Sequence, residues 1–442
     1  MMKIRIGLAL LIAGGLVCST TLVGSAAQQG GTLVFGSSGD VSRLDPADVT
    51  DGESIQRMDN IFEALVEYKK ESTEVQPCLA ESWEVSEDGL EFTFYLRKGV
   101  KFHDGTDFNA DAVVFSFRRQ YDETYLPWHD YGEWAYWGWM FGDIKEVKKI
   151  DDYTVKIVLK SKNASLLTSL AMFTVNIVSP TNALKWGPDA FKHPCGTGPF
   201  KFVEWVKDDY ITLVANENYW RKRPYLDKLI FKVIPDPSAR LMALEKGEID
   251  GMEYPDPDQI PRIKAHPDLK LLTQPGMNVG YLAMNMWDET PGFEPPFGDV
   301  RVRRAIAHAI NKKDIVDYLY AGTATVAKNP LPPSLWGYND EIEDYEYNPE
   351  ISKKLLAEAG YPDGFKTTLW AMPVSRPYMF DPRKIAEAIQ SDLRKVGIEA
   401  EIFSEEWATY LQDTEAGKHP MCLLGWTGDN GDPDNFIYVL LD

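Results

Sequence analysis

The densest run of side chains able to do chemistry is GWTGDNGDPDNF, residues 425–436. It sets Asp429, Asp432 and Asp434 within six residues, with Gly428 and Gly431 loosening the backbone between them. The preceding apolar run, MCLLGW, reads as a buried strand. Bare carboxylates at the mouth of such a strand can bind a metal, move a proton, stiffen a turn or seat a cation. Spacing excludes a calcium loop: counting from Asp429, the third position is Gly431 and the twelfth is Leu440 rather than glutamate. Asp432 and Asp434 read as residues that cap or stiffen the turn. Asp429 reads either as one more solvated turn residue or as the seat of a cation.

Other catalytic signatures are missing. The chain has no GxSxG, HExxH or Walker loop, and its six histidines do not fall at metal-ligand spacing. GTGPF at 196–200 lacks the third glycine of a dinucleotide loop, and Pro199 interrupts the helix start that would face a phosphate. A carboxylate pair for glycoside cleavage stays open, because a separation in space is not written in the sequence. The expectation is a protein that is not an enzyme and needs no cofactor or metal.

Composition narrows the class. A chain of 442 residues exceeds one compact core, so two or more lobes are expected. Net charge is −21 with no balancing basic run, which argues against a nucleic-acid groove or an anionic membrane surface. At the start, Lys3 and Arg5 precede an apolar run from Ile6 to Val17, followed by small residues to Ala27. That order is a secretory signal peptide, expected to span 1–27 and to be cleaved near Ala26 or Ala27. A lipid anchor at Cys18 is not expected, because Val17 is not the small residue such sites place before the cysteine. The exported chain would be periplasmic, with Cys78, Cys195 and Cys422 remaining. Cys78 and Cys195 stand in turn-like settings and could form a disulfide, whereas Cys422 lies in the apolar strand and reads as a buried thiol.

The elements that must position these residues are alternating. IQRMDNIFEALVEY has helical spacing, with Ile55, Met58, Ile61, Phe62 and Leu65 on one side. Asp88-Gly89 marks a hairpin whose second strand, EFTFYL, turns Phe92, Phe94 and Leu96 to one face. A helix capped by Asn109 follows. Residues 125–141 hold eight aromatics in seventeen positions, suited to core packing, lobe–lobe packing or a stacking platform. FKVIPDPSARLMALEKGEIDGM reads as strand, helix and strand, with Asp236 as cap, Pro237 at the first helical position and Gly247 at the end. Beyond TQPG at 273–276 the pattern restarts. It runs through a strand in GMNVGYLAMNM, one helix over DVRVRRAIAHAINKKDIVDYLY capped by Asp299, and helix, Gly397 turn and strand in PRKIAEAIQSDLRKVGIEAEI. Two α/β regions thus flank a cleft.

The motifs LAESWEVSEDG (79–89), LRKGVKFHDG (96–105), CGTGPF (195–200), SARLMALEKGEID (238–250) and DVRVRRAI (299–306) resemble the family-5 extracytoplasmic solute-binding proteins of peptide ABC importers. GMNVGYLAMN (276–285), LWAMPVSRPY (369–378) and GWTGDNGDPDNF narrow the likeness to the dipeptide-binding subgroup. The resemblance implies an α/β fold of the two-lobed periplasmic-binding-protein type. Lobe one would cover 28–272, with an inserted subdomain at about 60–175, and lobe two 273–442. Family members usually continue past this point and return to lobe one, so lobe two is expected to be incomplete and the C-terminal part truncated.

The resemblance also assigns roles. Asp429 would receive the ammonium of a dipeptide, and Arg376 its carboxylate. Tyr378, Trp407 and Trp426 would line the pocket, and the loop at Asp51 and Gly52 would present lobe-one backbone. The implied partners are a dipeptide or short peptide and the permease subunits of an ABC transporter, with the protein itself a monomer. Another ligand in the same trap (haem, an oligopeptide, glutathione) and a secreted hydrolase are the competing readings.

Overall fold

The computed structural model describes residues 29–286 and 296–441. The leader expected at 1–27, Cys18 included, lies outside the described residues. Among those described, the first sheet has the spatial order Gly251–Met252, Thr32–Ser37, Lys228–Val233, Tyr210–Ala215 and Phe200–Val206. Thr32–Ser37 runs parallel to both of its neighbours, and the last two strands add an antiparallel hairpin. Helix Pro237–Glu245 makes one crossover as its sequence predicts. The Asp236 carboxylate accepts from the Ala239 amide at 2.7 Å, and Gly247 ends the unit at φ +71°, a left-handed conformation that glycine adopts without a Cβ clash.

A second, antiparallel sheet orders Ala80–Val85, Glu91–Leu96, Thr154–Leu159 and Ile144–Asp151. Phe92, Phe94 and Leu96 are buried on one face, as their alternation predicts. Helix Ala110–Tyr121 packs into the same core through Val113 and Phe117, and Asn109 caps it by accepting from the Ala112 amide at 3.2 Å. Each such fully buried apolar side chain contributes about 1.5–3 kcal/mol.

The third large sheet orders Asn278–Met284, Met421–Thr427, Lys366–Trp370 and Glu399–Phe403. The first pair is antiparallel and the rest parallel. Its core draws on Val302, Ile306, Leu356, Ile385, Ile389 and Leu393 from three helices, Val300–Ala309, Pro349–Glu358 and Pro382–Arg394. Among the described residues, no core cluster mixes side chains from before residue 252 with side chains from after 276. The chain therefore builds separate cores on either side of that stretch.

Three expectations need correction. Helical spacing predicts one helix through residues 55–68, yet helix Gly52–Met58 stops and Val66–Tyr68 is a strand. The carbonyls of Asn60, Ile61 and Glu63 accept instead from the amides of Phe200, Gly198 and Ile177, so distant backbone takes the bonds a helix would have used. CGTGPF is the other half of that contact: a Cβ at Gly196 would lie 2.2 Å from the Ile61 carbonyl oxygen. The run after Asp299 is two helices, Val300–Ala309 and Lys312–Leu319, because the Asp392 carboxylate captures the Asn311 amide at 2.8 Å and Asn311 caps the second. Finally, the Cys78–Cys195 disulfide does not form. All three described cysteines, Cys78, Cys195 and Cys422, are free and buried. The Cys78 sulfur accepts from Arg221 Nη2 at 3.3 Å, and burial with the neighbouring Asp104 pushes the Cys195 thiol up to about 12.

Candidate ligand-binding site

Strand Met421–Thr427 delivers the acidic loop, and Gly425 lets a ring lie on that strand. A Cβ there would stand 2.2 Å from Cδ2 of Tyr378. Tyr378 is held from several sides: its carbonyl accepts from the Tyr320 hydroxyl at 3.0 Å, and its own hydroxyl meets Met372 Sδ at 3.9 Å. Two residues earlier, Arg376 sits in a tight turn closed by reciprocal backbone bonds with Met379 at 3.0 and 2.9 Å. Its guanidinium carbon lies 4.7 Å from the Trp407 ring centre, and Trp407 stacks on Tyr410 at 5.7 Å. That face-on contact fixes the fork without neutralising it. Among the described residues Arg376 has no carboxylate partner.

Asp429 follows Gly428, whose amide donates to the Met277 carbonyl at 2.7 Å. Asn435 organises the loop. Its Oδ1 accepts from the Asp429 amide at 2.8 Å and from Trp426 Nε1 at 3.0 Å, while its Nδ2 reaches Asp429 Oδ2 at 3.4 Å. The Asp429 carboxylate also accepts, at Oδ1, from the Tyr136 hydroxyl at 2.8 Å. Burial pushes Asp429 above the usual carboxylate range, and the bonds from Tyr136 and Asn435 offset only part of that. Among the described residues no lysine, arginine or histidine pairs with it. Asp432 stiffens the turn, as its spacing suggests, by accepting from the Asp434 amide at 3.0 Å, and Asp434 opens the helix Asp434–Leu441.

The loop meets residues from the other side of the molecule. Asn430 donates to Ser169 Oγ at 3.1 Å, the Gly431 amide to the Tyr68 hydroxyl at 3.3 Å, and Trp139 stands edge-on to Trp426 at 5.8 Å. The aromatic run 125–141 thus does two jobs. Trp137 stacks on Tyr121 and Phe141 and meets Phe117 edge-on in the core, while Tyr136 and Trp139 turn toward the acidic loop. Trp134, at φ +46°, is a strained non-glycine start to the short helix Ala135–Met140 that carries them, held by its Nε1 bond to the His129 carbonyl at 3.0 Å.

The structure therefore ties Trp407 to Arg376, Tyr378 to the strand of Trp426, and Trp426 to Asp429 through Asn435. Asp51 serves as the cap of helix Gly52–Met58, accepting from the Ser54 amide at 2.8 Å and from the Ser42 hydroxyl. Gly52 opens that helix and is exposed. Among the described residues neither bonds to Asp429 or Arg376. Sequence reasoning missed Tyr136, Tyr68, Ser169 and Asn435. Only Asn435, inside the acidic motif, and Tyr136, inside the aromatic run, carried any local signal.

Comparison with known proteins gives this geometry a context. Residues 74–442 match the family model for bacterial extracellular solute-binding proteins, family 5 middle. The chain is 44% identical over 412 residues to heme-binding protein A of Haemophilus influenzae, covering 90% of this chain and 74% of that one. It is also 44% identical over 432 residues to the dipeptide-binding protein of Escherichia coli, covering 94% and 79%. Among solved structures, a periplasmic binding protein of Helicobacter pylori in complex with the peptide STSA aligns at TM-score 0.78 and 39% identity, over 94% of this chain and 81% of that one.

Proposed function

The chain belongs to the bacterial extracellular solute-binding proteins of family 5, and from that premise we propose that it traps a dipeptide by its two charged ends and hands it to the permease of an ABC importer. A dipeptide is a compact zwitterion. Enclosing it strips water from both ends, at several kcal/mol per unpaired ion. The Asp429 carboxylate offsets that cost at the ammonium, and the Arg376 fork at the carboxylate. One observation carries the reading: the two anchors are held rigidly, yet neither has an opposite charge among the described residues. Their separation sets ligand length, while Tyr378, Trp407 and Trp426 supply apolar walls that accept varied side chains.

Calorimetry with dipeptides tests this directly. Asp429→Asn is expected to lose most affinity, and unchanged affinity in a well-folded variant refutes the ammonium seat. We further infer binding without turnover, so incubation with dipeptides is expected to release no free amino acids. The chain's division into lobe one at 28–272, with 60–175 inserted, and lobe two at 273–442 belongs to the same reading. So does export by the leader at 1–27, which N-terminal sequencing of exported protein checks.

Haem is the second reading. It is favoured by the 44% identity to heme-binding protein A and by exposed aromatics near the acidic loop, such as Trp139. A thermal-shift screen separates the two: the ligand that binds only the folded state raises its melting point.

A further inference from the structure

Tyr136 and Asp429 are 293 positions apart, yet the tyrosine hydroxyl donates to the carboxylate at 2.8 Å. Tyr136 is only 8% exposed, and its ring stands edge-on to Phe173 at 5.2 Å, so its direction is set by packing. The surrounding contacts cross the same gap. Tyr68, Trp139 and Ser169 meet Gly431, Trp426 and Asn430. Every residue on one side of these contacts lies within 68–169, and every partner within 426–431, whichever of the two donates. The Tyr136 hydroxyl thus reaches the carboxylate when these two faces meet.

We propose that Tyr136 is a closure-dependent positioning residue, which aims the Asp429 carboxylate at the ligand's ammonium once the lobes have shut. The inference rests on Asp429 being the ammonium seat. A tyrosine hydroxyl uses one lone pair of Oδ1. Oδ2 carries only the 3.4 Å contact from Asn435, which leaves acceptor directions for an ammonium. The hydroxyl brings no charge of its own, so it supports the carboxylate without replacing the cation. Burial and the adjacent Asp429 hold Tyr136 well above its ordinary pKa, which keeps it a donor at neutral pH. A bond made only in the shut state slows release of cargo and leaves capture unchanged.

The test is a double-mutant cycle on the whole chain with alanyl-alanine, read by calorimetry up to millimolar ligand and by stopped-flow tryptophan fluorescence. Tyr136→Phe is expected to weaken binding roughly ten- to a hundredfold, the worth of a hydrogen bond to a charged group. The loss is expected in a faster dissociation rate with the association rate unchanged. In an Asp429→Asn background the same substitution is expected to change affinity less than about threefold. Equal losses in both backgrounds, unchanged binding in Tyr136→Phe, or tighter binding overturns the proposal; the last would make the tyrosine a competitor. Should Asp429→Asn itself bind normally, the ammonium-seat reading falls. Should Asp429→Asn lose binding while Tyr136→Phe does not, only the present inference falls. An unchanged melting temperature for Tyr136→Phe shows that lost affinity is not lost folding.

Discussion

Glu63 and Asp429 are both carboxylates that burial pushes above their ordinary pKa, yet they sit in opposite kinds of surroundings. Glu63 accepts from Thr197 Oγ1 and the Tyr219 hydroxyl at 2.7 Å and from Trp220 Nε1 at 2.8 Å, with the Arg221 charge nearby. All its donors belong to the body that contains it. Among the described residues Asp429 has one strong side-chain donor, Tyr136 from across the cleft, one weak one in Asn435, and no cation. The first is a finished structural joint between residues 60–66 and 195–221. The second is left short of charge, which is what a seat for an arriving cation requires. Burial alone does not separate structure from function; the completeness of the partners does.

That comparison predicts four graded outcomes. Glu63→Ala orphans one buried donor and two half-buried ones, at about 1–3 kcal/mol each when fully desolvated and less where water reaches them, so denaturant unfolding is expected to show a loss of roughly 2–6 kcal/mol. The folded fraction is expected to keep its dipeptide affinity. Asp429→Asn is expected to do the reverse, costing on the order of 2–5 kcal/mol of binding by calorimetry while leaving the unliganded melting temperature undiminished. Equal stability losses in the two variants would erase the distinction. Arg376→Lys keeps the charge but loses the fork and its face-on fit to Trp407, an expected penalty on the order of 1–2 kcal/mol in affinity.

The smallest effect is a pH dependence of the unliganded protein. A carboxylate raised in the folded state binds protons more readily folded than unfolded, so its contribution grows as pH falls through the raised value and is complete below the ordinary 3.8. Melting curves are therefore expected to place Asp429→Asn above the parent at neutral pH, with the gap closing on acidification. A gap that widens toward acid contradicts the sign of the shift.

Much of the fold was legible because its signals are local. The caps at Asn109, Asp236 and Asp299, the turn at Gly89 and the alternation of Phe92, Phe94 and Leu96 depend on residues within a few positions of each other, and the structure shows each. The acidic loop was legible for the same reason, down to the stiffening role of Asp432. What failed depended on distant chain. Residues 59–65 have helical spacing and their four apolar side chains, Ile61, Phe62, Ala64 and Leu65, are buried, yet carbonyls of this stretch were claimed from positions 177, 198 and 200. Cys78 and Cys195 looked pairable from their neighbours, but each is buried among its own polar partners.

By itself, then, the sequence determined the two α/β regions, the family and the strand that carries Asp429, because periodicity, capping and motif spacing act over short stretches of backbone. Tertiary structure alone decided where the helix at 52–58 stops, that the thiols stay apart, and that Tyr136 meets Asp429. Those outcomes turn on which buried polar group finds a partner, and that is settled only when segments hundreds of residues apart exclude water together.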